Sequence, residues 1–117
     1  MDFTPNFAGI VDAISGIITV KSQIHTNTPL LASEIFVSNA FVSSPLIKGW
    51  VYTDVSGSAE IEQSFDSVSW RQGISFNCAT GYNDFIFQPL AQFFRIRYTN
   101  GLAAQGFLQI ITSGFVN

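Results

Sequence analysis

Histidine and cysteine occur once each in this chain of 117 residues, as His25 and Cys78. A lone thiol cannot close an intramolecular disulfide, and without a CxxC pair or a Cys/His cluster the chain encodes neither a disulfide framework nor a zinc site. Charge is scarce too: five basic and eight acidic residues make up 11% of the chain and leave a net charge of −3. Nucleic-acid binding needs a basic stripe along the phosphates, which so few cations cannot supply. No apolar run approaches the ~18 residues of a membrane span. The opening MDFTPNFAGIVDAISGIITV lacks a basic n-region, so the expectation is neither a cleavable export signal nor membrane embedding. A phosphate loop is also missing, because GLAAQG at 101 to 106 leads into another strand and not into a helix N-terminus.

What the chain does have is apolar and aromatic surface, with 47% hydrophobic residues and twelve phenylalanines. A chain of this length can bury one core without staples. So little charge cannot cover a small domain, and some apolar surface is expected to meet a partner, most simply by obligate assembly.

From Ile17 onward β-branched and aromatic residues alternate with polar ones, broken by Gly, Pro, Asn, Asp and Ser about every ten residues. This predicts eight antiparallel strands. They run roughly from Ile17 to His25, Leu31 to Val37, Leu46 to Asp54, Ala59 to Phe65, Trp70 to Cys78, Asp84 to Gln88, Phe93 to Thr99 and Gly106 to Thr112. The only helix candidate is Phe7 to Ile14, ending at Ser15-Gly16.

Alternation assigns faces. Ile18, Val20 and Ile24 are expected inside, with Lys21, Gln23 and His25 outside. Ala59, Ile61 and Phe65 point in and Glu60, Glu62 and Ser64 out, while Phe94, Ile96 and Tyr98 point in and Phe93, Arg95 and Arg97 out. Eight half-wet strands imply an all-β fold, a single antiparallel sandwich of jelly-roll or immunoglobulin-like topology over residues 17–117.

Some outward positions are apolar. If Ile47 and Val51 face the core, Trp50 and Tyr52 face away, and Phe93, Phe107 and Ile111 join them by the same count. These five are the candidate oligomer interface, unless bulges turn some of them inward. Residues 1–16 lack strand alternation and carry Phe3, Pro5, Phe7 and Ile10. The segment reads as an extended arm that docks on a partner, or else folds back over its own sandwich.

Catalysis has little to stand on. His25 has no carboxylate or nucleophile placed beside it by the sequence, and Cys78 alternates with Phe76 and Ile74 as a small buried hydrophobe. Glu60 and Glu62 share a face about 7 Å apart by the strand rise, a spacing that glycoside hydrolysis uses, but alternating acids on a wet strand are ordinary. Asp54, Asp66 and Asp84 have no neighbouring acid within two residues, which leaves calcium without a ligand set. The expectation is no enzyme, no cofactor and no metal. Ser64-Phe65-Asp66-Ser67-Val68-Ser69-Trp70 resembles the Asp box of sialidase-like propellers, a structural hairpin motif. It lacks the glycine after the Asp, its Trp comes one residue early, and there is no blade repeat. What remains is turn chemistry and a Trp starting the next strand; a buried Trp70 ring would cost roughly 3 to 5 kcal/mol on truncation to Ala.

Two longer stretches, IKGWVYTDVSGSAEIEQSFDSVSW and FFRIRYTNGLAAQGFLQIITS, together resemble small β-domains of tailed-bacteriophage virion proteins. The pattern is a strand ending in Asp, a Gly-containing turn, a strand like "xIEQSxD", a Trp, and then "A-x-x-x-R-(I/V)-R-Y-x-N-G-x-x-x-Q". Asp54, Gly57, Ile61 to Ser64, Asp66, Trp70, Ala91, Arg95 to Tyr98, Asn100, Gly101 and Gln105 occupy those places, over about Ile47 to Thr112. The departures are the missing glycine after Asp66 and Phe94 just before the arginine strand. The resemblance implies a structural virion protein, most like a capsid decoration (cement) protein. Such a protein sits on the capsid exterior, binds the major capsid protein through a capsid-binding arm (Phe3, Pro5, Phe7, Ile10) and assembles as a homotrimer. It needs no direct nucleic acid and no membrane. The alternative is a carbohydrate- or host-receptor-binding module of a tail or fibre, with Trp50, Tyr52, Trp70 or Tyr82 stacking on a sugar.

Overall fold

A computed structural model describes residues 19–116, and the expected arm, residues 1–16, lies outside them. Nine strands follow one another: β1 (Thr19–Thr26), β2 (Ile35–Val37), β3 (Phe41–Val42), β4 (Ile47–Thr53), β5 (Gly57–Ser64), β6 (Arg71–Cys78), β7 (Gly81–Phe87), β8 (Phe93–Asn100) and β9 (Leu108–Val116). They form two antiparallel sheets, one in the order β1-β9-β4-β7 and the other β2-β8-β5-β6, with β3 also on β8. The fold is the expected all-β sandwich.

Its topology settles the choice left open by the sequence. Strands pair in a nested way, β1 with β9, β2 and β3 with β8, β4 with β7 and β5 with β6. With β2 and β3 taken as one interrupted strand, this is a long hairpin rolled on itself, the jelly roll. The interruption has a local cause. Ser38 gives its backbone N–H to the Ile96 carbonyl at 2.9 Å while its hydroxyl, not a carbonyl, receives the Ile96 N–H at 2.9 Å. A side chain thus stands in the ladder, and pairing resumes at Phe41. The short β3 was not expected because two residues carry no periodicity.

Between the sheets lie Ile47, Val51, Ile61, Ile96, Tyr98, Leu108 and Ile110, all 0–1% exposed. In β8 the alternation holds as read: Phe94, Ile96 and Tyr98 are buried and Phe93, Arg95 and Arg97 half-exposed. Gly57 is required here, since a Cβ would run into the Tyr98 hydroxyl and the Thr99 carbonyl.

Two face assignments are overturned. In β1, Gln23 lies opposite buried Thr112 and Ile24 opposite Ile111, so Ile24 points outward, 60% exposed. The register then shifts between Ile24 and Thr26, and His25 turns onto the Phe41 and Phe94 rings at centroid distances of 4.8 and 6.1 Å. The pairing partner, not the apolar pattern, sets the face of an edge strand. Phe65, expected inside, lies beyond the end of β5 in the turn and is 70% exposed.

Candidate functional site

The outer face of the four-stranded sheet collects the expected apolar outward residues. Register places Tyr82 of β7 beside Tyr52 of β4, with Gln109 of β9 next across the sheet; the next row holds Asp84, Trp50, Ile111 and Ile24. A third row holds Ile86, Lys48, Ser113 and Ser22. Phe107, just before β9, packs tilted against Tyr52 at 4.6 Å, and Tyr52 stacks on Tyr82 at 4.1 Å, so three rings form a ladder across the strands. Trp50 stands perpendicular to Tyr82 at 5.7 Å. Stacked and edge-to-face geometries are those aromatic quadrupoles favour, so the rings support one another on this face. Amides fix its other side. The Trp50 indole N–H donates to Gln109 Oε1 at 3.2 Å, and Gln109 Nε2 donates to Asn27 Oδ1 at 3.3 Å.

Of the five interface candidates, four (Trp50, Tyr52, Phe107 and Ile111) therefore share one face. Phe93 does not, being on the outer face of the other sheet opposite Ser64 and Val42. Tyr82 and Ile24 belong to the aromatic face but were absent from that set. Tyr82 was detectable only as a sugar-stacking candidate, and Ile24 was misplaced with its strand. The capsid-binding arm residues Phe3, Pro5, Phe7 and Ile10 lie outside the described residues.

The residues with chemical potential are dispersed. His25 donates or accepts through Nε2 with the Thr112 hydroxyl at 2.7 Å, and burial pushes its pKa down to about 4. At neutral pH it is an uncharged packing residue. Burial pushes the Cys78 thiol up to about 12, far from thiolate. Glu62 is held by Arg95, Oε1 to Nε at 2.6 Å, and that guanidinium lies over the Trp70 ring at 4.4 Å. Among the described residues no three His, Cys, Asp or Glu side chains come together to hold a metal.

Asp54 and Asp66 serve turns at opposite ends of β5. Asp54 accepts the N–H of Gly106 at 2.9 Å and of Phe107 at 3.3 Å. Asp66 Oδ1 accepts Val68 N–H, Ser69 N–H and the Ser64 hydroxyl, each at 2.9 Å, and these hydrogen bonds hold its carboxyl below the usual range. Ser67, next in this turn, takes the left-handed conformation at φ 61°, the position where the Asp box pattern has glycine. The other residues of the virion-like pattern are likewise framework. Asn100 ties Leu30, Leu31 and Ala103 together, Gln105 Nε2 donates to Thr53 at 2.8 Å, and Gln63 Oε1 accepts Leu90 and Ala91 N–H at 2.7 and 3.1 Å.

Residues 14–115 match the family described as the N-terminal domain of the uncharacterised protein YqxG. The chain belongs to the YqxG N-terminal domain family. A solved structure, that of the PBSX exported protein XepA, is similar to this YqxG-type domain at 27% identity with a TM-score of 0.75. The match covers 83% of this chain and 38% of XepA, so the domain spans well under half of that protein. A family 29 carbohydrate-binding module from Piromyces equi shows a looser likeness, with 14% identity and a TM-score of 0.43 over 81% of this chain and 91% of the module. No curated protein matches the chain.

Proposed function

We propose that this YqxG-type domain is a non-catalytic contact module of a bacteriophage-associated structural protein, and that its finer role is decoration of the capsid exterior. The observation that supports it is the aromatic face of the four-stranded sheet, carried by a chain whose Asp54 to Gln105 framework resembles virion β-domains. On such a particle the jelly roll stands on the shell and turns this face outward. Attachment to the major capsid protein is assigned to the segment containing Phe3, Pro5, Phe7 and Ile10. It is shared by the apolar margin of the five-stranded sheet, where Ile35, Val37 and Val42 are 47, 40 and 69% exposed. Repetition over a symmetric shell, with self-association into a trimer, adds avidity to modest single contacts.

The test is solution mass by light scattering, then co-sedimentation with shells of a cognate phage that lack the protein. Saturable, stoichiometric attachment that is weakened by deleting residues 1–10, with the melting temperature preserved, is the expected result. Failure of the intact, folded chain to join any shell overturns the decoration role.

A further inference from the structure

The ring ladder ends on the edge of its sheet. Tyr82 belongs to β7, whose one strand neighbour among the described residues is β4, and it is 64% exposed although one ring face is stacked on Tyr52. Perpendicular to it stands the Trp50 ring, and Asp84, exposed, is paired in register with Trp50. Apolar ring surface therefore meets an exposed carboxylate in one corner, with the Lys48 ammonium one row further along β4.

The outward charges of this face, the Asp84 carboxylate and the Lys48 ammonium, offer a charged partner no excess of either sign. A nucleic-acid base would also stack on Tyr82, but its phosphates would meet a domain of net charge −3 and the Asp84 carboxylate.

A sugar ring fits both halves of this corner. A pyranose with equatorial substituents shows C–H groups on its faces and hydroxyls around its rim. Its face buries apolar surface on an aromatic ring, while rim hydroxyls donate to a carboxylate at a strength neutral acceptors do not reach. We infer that the Tyr82, Trp50 and Asp84 corner binds a neutral glycan whose pyranose rings carry equatorial substituents, of the glucose or N-acetylglucosamine type. Tyr82 carries the ring face, Trp50 walls it, and Asp84 accepts rim hydroxyls. The single carboxylate disfavours acidic sugars. This inference rests on the reading of the aromatic face as the contact surface of the module.

The experiment is titration of the full chain with cellohexaose and with chitohexaose, read by calorimetry and by tryptophan fluorescence. Saturable binding to one of them with a change in tryptophan emission is expected. Tyr82→Ala is expected to weaken it about tenfold or more while the chain still unfolds in one cooperative transition, and Asp84→Asn to weaken it less. No heat and no fluorescence change with either sugar at millimolar concentration overturns the inference, as does wild-type affinity in Tyr82→Ala. Shell attachment separates the two ideas. Attachment without sugar binding leaves the decoration role and removes the glycan, whereas sugar binding without attachment does the reverse.

Discussion

At the scale of the residue, the side chains that matter most are small amides and a histidine rather than the conspicuous aromatics. Asn100 is 4% exposed; its Nδ2 reaches the carbonyls of Leu30, Leu31 and Ala103 at 3.3, 2.9 and 2.9 Å, and its Oδ1 accepts Gly101 N–H at 2.9 Å. Asn100→Ala leaves those buried carbonyls short of a donor, and a loss of about 2–3 kcal/mol in urea unfolding is expected. Trp70 was expected to be a buried anchor, but it is half-buried with its ring over Arg95. The expected cost of Trp70→Ala falls to about 1–2 kcal/mol accordingly. His25 sets the pH response. Its folded pKa of about 4 lies below the ordinary 6.5, so the unfolded chain takes up its proton first as pH falls. The associated stability is intact above about pH 6.5 and is lost between there and pH 4. After allowance for the ring's partial exposure the loss is about 1–2 kcal/mol. Denaturation midpoints of the native chain and of His25→Gln, compared at pH 7 and pH 4.5, check it: the variant is expected to lose less.

At the scale of the element, the turn from β5 into β6 shows how far local sequence reaches. The Ser64-x-Asp66 spacing predicts turn chemistry, and the Ser64 hydroxyl accepts Asp66 and Ser67 N–H at 3.2 and 2.9 Å while Asp66 takes Val68 and Ser69. Turn chemistry is a property of adjacent residues, so it was legible. Asp66→Ala is expected to raise amide hydrogen exchange at Val68 and Ser69 with little effect on the β8 amides, measurable by NMR. The face of β1 was not legible. Its residues KSQIHT fit either face, and the choice falls to β9, some ninety residues away, which sets Ile24 beside Ile111. The aromatic face followed the same rule in reverse, since in β4 the buried pair Ile47 and Val51 anchors the count and sends Trp50 and Tyr52 outward.

At the scale of the whole molecule, nesting governs folding. The first described strand pairs with the last, and β4 with β7, so most pairings close long loops before they gain contacts. Two such sheets are expected to fold on the millisecond to second scale, slowly for this length. Stopped-flow refolding by tryptophan fluorescence checks it, and a microsecond phase carrying the full amplitude would contradict it.

The sequence by itself determined the all-β class, eight of the nine strands, the inward and outward faces of β4 and β8, and the turn at Asp66. All of these depend on the period of two in a strand and on contacts between near neighbours. Only the tertiary structure decided the jelly-roll order, the bulge that turns His25 inward, the exposure of Phe65, and the separation of Phe93 from the aromatic face. Each of those depends on which distant strand lies alongside, and the energy of that choice belongs to the pair of strands and not to either one alone.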